Sequence, residues 1–163
     1  MPCFKTLQTR WKRLLVQPES DKPQILLDML STEYCELTQD ISRLHHYAQR
    51  MRNAQDRERL RQFATEERIH VTWLQEKVRD LGGELPQCVV TIQVRRNRRD
   101  CLRLAGEEKL RHCVRLQRHI NSTMRRAPDI AQGLQHIRYA EQQRRQALLS
   151  MQLRNTLHAP LAA

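Results

Sequence analysis

Ala64-Thr65-Glu66-Glu67-Arg68-Ile69-His70, followed by Leu74 and then Leu81-Gly82-Gly83, sets two polar side chains into an otherwise apolar helical stripe. Leu60, Phe63, Glu67, His70, Leu74, Val78 and Leu81 recur at steps of three and four, the repeat of one helical face. Gly82 and Gly83 supply the stop, and Pro86 reinforces it. A charged carboxylate on a core face needs a partner, because an isolated buried ion is too costly to persist. Glu67 and His70 stand at i and i+3, so both leave the same face about one turn apart. One supplies a hard oxygen and the other an imidazole nitrogen, a pair that suits iron, manganese or zinc.

Three more helices are expected around this one. Upstream, Leu26, Leu30, Leu37, Ile41, Leu44, Ala48 and Met51 mark a helix over 23–53, and Glu33 sits within that stripe. A break at 53–55, with Asp56 as cap, separates it from the helix over 56–81. Residues 84–94 are apolar without helical rhythm and read as an extended crossover. Cys101, Leu102, Ala105, Cys113, Leu116, Ile120 and Met124 mark a third helix over 97–125. A turn at Ala127-Pro128-Asp129 leads into a fourth over 129–155, whose stripe reads Ile130, Leu134, Ile137, Glu141, Arg144, Leu148, Met151. Two short connections flanking one long one predict an all-α four-helix bundle, built of two antiparallel pairs joined by a crossover.

Composition agrees with the helical reading. The 163 residues suit one domain, with only 4 Gly and 4% aromatics. Residues 1–21 form a basic leader in which Phe4, Leu7, Trp11 and Leu14 recur at helical spacing, a short amphipathic helix for its own bundle, a partner or a membrane surface. Residues 22–155 form the bundle and 156–163 a flexible tail. No apolar run approaches the roughly 20 residues of a transmembrane helix. The five cysteines (3, 35, 88, 101, 113) are scattered and lack CxxC spacing, which predicts no disulfide framework and a cytoplasmic, reducing location. Net charge is +11, and Arg95 to Arg126 holds eleven Lys/Arg against three acids. Such a third helix attracts an anionic partner or is simply a solvated face.

The polar residues in the stripes are evenly spaced. Glu33 to Glu67 is 34 residues and Glu108 to Glu141 is 33, while Glu67 to Glu141 and His70 to Arg144 are both 74. Leu60/Leu134, Phe63/Ile137 and Leu74/Leu148 share the last offset, so the chain reads as a diverged internal duplication. An offset of 75 pairs Leu26/Cys101, Leu30/Ala105 and Glu33/Glu108, which favours Glu108 over Glu107 as the acid of the third helix.

The run 64–70 with Leu74 and Leu81-Gly82-Gly83, together with these placed carboxylates, resembles the ferritins and bacterioferritins over residues 24–155. The resemblance implies a ferritin-like bundle with a di-iron carboxylate site. Glu33, Glu67 and His70 would match the ligands of one iron, Glu67 and Glu141 the bridging carboxylates, and Glu108 a ligand of the second iron. It also implies homo-oligomers, a dimer or larger. Three departures stand out. The second Glu-x-x-His of bacterioferritins and rubrerythrins is here Glu141-Gln142-Gln143-Arg144, and Arg cannot become a ligand. Arg68 stands where bacterioferritins carry the haem-ligating Met, so no haem is expected. No CxxC pair is present for a rubredoxin module.

Arg144 is expected in the second-metal region, bridging Glu108 and Glu141, so that one metal binds or none. His112, one turn from Glu108, is a candidate replacement ligand. The alternative is a metal-free polar network of the same residues. Two functions follow. One is iron binding with Fe(II) oxidation or sequestration, a ferroxidase-type activity. The other is a non-catalytic scaffold whose basic surface binds an acidic partner, nucleic acid or a membrane surface.

Overall fold

Asn53 stands just before the second helix of the chain. Its side chain accepts hydrogen bonds from the backbone N–H groups of Gln55 and Asp56 and caps the helix that follows. In the computed structural model, which describes residues 21–90 and 97–157, this cap joins α1 (Asp21–Arg50) to α2 (Ala54–Asp80). After the crossover, Asn97 caps α3 (Arg98–Thr123) by accepting from the Asp100 N–H. Pro128, whose missing N–H is no loss in a first turn, opens α4 (Pro128–Leu157). The expected cap Asp56 lies instead inside the first turn of α2, buried, where its carboxylate accepts from Arg154 and Asn155 of α4. The expected amphipathic helix of the leader lies outside the described residues, as do positions 158–163 of the expected tail.

Contacts fix the topology. Leu27 packs where a side chain at Gly83 would stand, so the two ends of the α1–α2 hairpin meet. Glu33 meets Arg115 and Asp40 meets Lys109, so α1 and α3 run in opposite directions. Glu66 faces Arg144 and Asp56 faces Arg154, so α2 and α4 are also antiparallel. It follows that α2 and α3 run the same way, and the segment between them must travel the length of the bundle. This is the crossover connectivity expected from the spacing of the turns. Among the described residues there is no strand, and no helix is long and apolar enough to cross a membrane.

Gly82 takes a φ of 76° at the end of α2, the left-handed conformation that halts a helix. Gly133 serves a different purpose. A Cβ there would overlap the Trp73 indole, so the glycine lets the ring approach the α4 backbone closely.

The cysteine expectation is corrected. Cys35 of α1 and Cys88 of the crossover form a disulfide across 53 residues of sequence. The returning crossover lays Cys88 along α1, a tertiary juxtaposition that no local spacing reveals. The argument from scattered cysteines to a reducing compartment falls with it.

The core divides into two apolar blocks. One gathers Leu44, Tyr47, Phe63, Leu102 and Leu148 around the α1–α2 turn. The other gathers Leu30, Leu37, Leu74, Leu116, Leu134 and Ile137 toward the opposite end. Every helix switches from one block to the other at a polar position, and those positions share one layer.

Candidate functional site

The layer is made by stripe positions that carry charge. Asp40 lies between Leu37 and Leu44 on α1, and Glu67 between Ala64 and Leu74 on α2. Lys109 and His112 lie between Ala105 and Leu116 on α3, and Glu141 and Arg144 between Ile137 and Leu148 on α4. All six are buried, as is Glu33 about two turns before Asp40. Steps of three and four turned these positions inward, so no unusual backbone is needed.

Lys109 is the hub. Its ammonium donates to Asp40, to Glu67 at 2.7 Å and to Glu141 at 2.9 Å, which matches its three hydrogens to three carboxylates from three different helices. Burial alone would strip its charge, yet Asp40, Glu141 and Glu67 outweigh burial and hold it firmly protonated. Arg144 lies 2.9 Å from both Glu67 and Glu141 and reaches Glu66 at 3.4 Å.

Glu33 anchors a second knot. His112 Nε2 lies 2.6 Å from it, the Arg115 guanidinium 2.9 Å and His119 Nδ1 2.9 Å. His112 also reaches Glu141 through Nδ1 at 3.3 Å, and so links the two knots. Burial opposes its charge, but Glu141 and Glu33 push the imidazole up to about 9. By the same balance, burial would raise Glu33 and Glu141, while the cations around them hold both well below the usual carboxylate range.

Of the residues singled out in the sequence, Glu67, Glu141 and Arg144 meet directly, and His70 is half-buried and 3.4 Å from Glu67. Glu33 stands apart in the second knot and reaches this group through His112. Glu108 does not join them. It is turned toward Arg43 at 3.9 Å, while its neighbour Lys109 takes the inward position. Arg144 accordingly bridges Glu67 and Glu141 rather than Glu108 and Glu141. Asp40 and Lys109 escaped the sequence reading, and His112 entered it only as a candidate ligand. All three carried a visible signal: Leu37, Asp40, Leu44 and Ala105, Lys109, His112, Leu116 are unbroken helical stripes.

The carboxylates of Asp40, Glu67 and Glu141 offer oxygens within 4.8 Å of one another, a buried group that could hold a metal ion. They do not fit a two-metal centre. Lys109 fills the space between the three acids, Arg144 spans two of them, and no acid of α3 faces inward to complete the set. Charge closes without metal: Glu33, Asp40, Glu67 and Glu141 are balanced by Lys109, His112, Arg115 and Arg144. No protein-family model matches this chain, and no curated protein or solved structure matches it either.

Proposed function

We propose that this chain is a ferritin-like bundle acting as a non-catalytic binding protein, with a self-neutralised centre and a basic flank that engages a polyanion. The Lys109 ammonium, seated among Asp40, Glu67 and Glu141, carries the first half of this reading. A chain that supplies its own cation at the middle of a carboxylate cluster has no charge left there for two metals to balance.

The distribution of charge along the chain supports the second half. Residues 98–157 carry thirteen Lys/Arg and five acids, while residues 21–80 carry ten and eleven. Arg103, Arg111, Arg118, Arg125 and Arg126 of α3 and its C-terminal turn are exposed. From Arg103 to Arg125 the rise of about 1.5 Å per residue gives roughly 33 Å, about one turn of duplex DNA. Nucleic acid is thus the first partner to test. Duplex DNA should shift at low salt, and affinity should fall steeply as salt rises. Arg111→Ala with Arg118→Ala should flatten that slope. No binding to DNA, RNA or anionic vesicles at low salt would sink this half.

A second reading has its own observation. The mutual approach of Asp40, Glu67 and Glu141 favours binding of one metal ion, with iron handling as the family-like outcome. It requires Lys109 to leave its place. Metal analysis of protein purified without chelators, with stopped-flow Fe(II) oxidation, tests it: one iron per chain and oxidation faster than buffer would support this reading over the first.

A further inference from the structure

We infer that Lys109 is a tethered cation that closes a divalent-metal site, so that shortening this one side chain opens a site for a hard divalent ion at Asp40, Glu67 and Glu141. The inference rests on the self-neutralised centre proposed above and not on the basic flank. Its chemistry is visible in the donor set. Three carboxylates from α1, α2 and α4 converge on one nitrogen, with Glu67 at 2.7 Å and both oxygens of Glu141 at 2.8–2.9 Å. Those are hydrogen-bond lengths, longer than the roughly 2.0–2.2 Å of a bond from a carboxylate to a first-row metal. An inward shift of less than about 1 Å by flexible side chains covers the difference. Oxygen-rich sets of this kind favour manganese or magnesium over softer ions.

Position makes the lysine, and not the acids, decisive. Among the described residues of α3, Lys109 is the one that reaches all three acids, while its neighbour His112 is engaged with Glu33 and Glu141. Arg144 independently holds Glu67 and Glu141 at 2.9 Å, so the two acids stay aimed inward when the ammonium is gone. Removing Lys109 leaves a buried carboxylate excess, and an unpaired charge of that sort demands a cation.

The test uses the full chain and Mn2+ as the probe, read by calorimetry and by loss of the free-ion EPR signal. Wild-type protein should take up no Mn2+ at about 1 mM, while Lys109→Ala should bind one ion per chain near ~10 µM or tighter. Adding Glu67→Gln to Lys109→Ala should return binding to the wild-type level. If Lys109→Ala unfolds without metal, Mn2+ should restore its helical circular dichroism. Lys109→Met, which keeps most of the volume but none of the charge, should bind more weakly than Lys109→Ala because its side chain still fills the space. The inference is overturned if wild-type protein binds Mn2+ as tightly as Lys109→Ala. It is equally overturned if folded Lys109→Ala binds none, or if unfolded Lys109→Ala is not refolded by Mn2+. Loss of polyanion binding would leave these outcomes unchanged, so the two proposals fail separately.

Discussion

The two hairpins of this bundle are built alike and charged oppositely where they meet. The α1–α2 hairpin contributes Glu33, Asp40 and Glu67 to the buried layer, and the α3–α4 hairpin contributes Lys109, His112 and Arg144, with the partly exposed Arg115 reaching in to Glu33. Glu141 is the exception, an acid on the basic hairpin that holds three of its own side's cations. The totals repeat the asymmetry, ten Lys/Arg against eleven acids over residues 21–80 and thirteen against five over residues 98–157. A metal-centred bundle would place acids on all four helices and let the ions join them. Here the joining is done by one hairpin's cations inserted among the other's acids, which makes the polar layer a docking device as well as a charge cluster.

Breaking the exception should cost most. Glu141→Ala leaves Lys109, His112 and Arg144 buried with one fewer carboxylate, and about 3–5 kcal/mol of stability should be lost in urea unfolding. A loss below about 1 kcal/mol would mean the layer is wet and its pairs weak. Next in size is the link between the knots. His112 is held up to about 9 against an ordinary 6.5, so its contribution is fully present below about 6.5 and is lost as pH rises through about 9. The span corresponds to about 3 kcal/mol, and His112→Gln should flatten the alkaline limb of a stability–pH curve. On the acid side, Glu33 and Glu141 lie below their ordinary value, so stability should decline as pH falls beneath about 4.5.

Outside the buried polar layer, contacts between the two hairpins should count for less. Gly133→Ala forces the Trp73 indole off the α4 backbone and should cost about 1–3 kcal/mol, with a change in Trp73 emission. Glu108→Ala should shift stability by less than about 1 kcal/mol, since the ion pair its carboxylate makes, with Arg43, is a long one at 3.9 Å. A large loss at Glu108 would restore it to the centre and blur the contrast between the hairpins.

These contrasts also explain what the sequence disclosed. Apolar periodicity, Gly82-Gly83 and Pro128 carried the four helices and the crossover. Glu33, Glu67, Glu141 and Arg144 were legible because each interrupts an otherwise apolar stripe. Lys109 carried the same signal but was outweighed, because it follows Glu107 and Glu108 in a strongly basic helix, where a lysine reads as surface, and lysines are rarely fully buried. The 75-residue offset then matched acid to acid and drew attention to Glu108, one residue from the inward position. Asp40 was passed over because Ile41 beside it satisfied the apolar pattern. Cys35 and Cys88 carried no pairing signature, since their approach depends on the route of the crossover.

That route has a practical consequence. Both ends of the disulfide belong to the stretch before residue 90, and α3 does not begin until Arg98. A chain severed between those points yields an oxidised front fragment and a basic back fragment whose buried faces are electrostatic counterparts. Mixed together, they should reassemble into the parent fold, faster in dilute buffer than in concentrated salt, which would make this bundle a candidate for split-protein complementation.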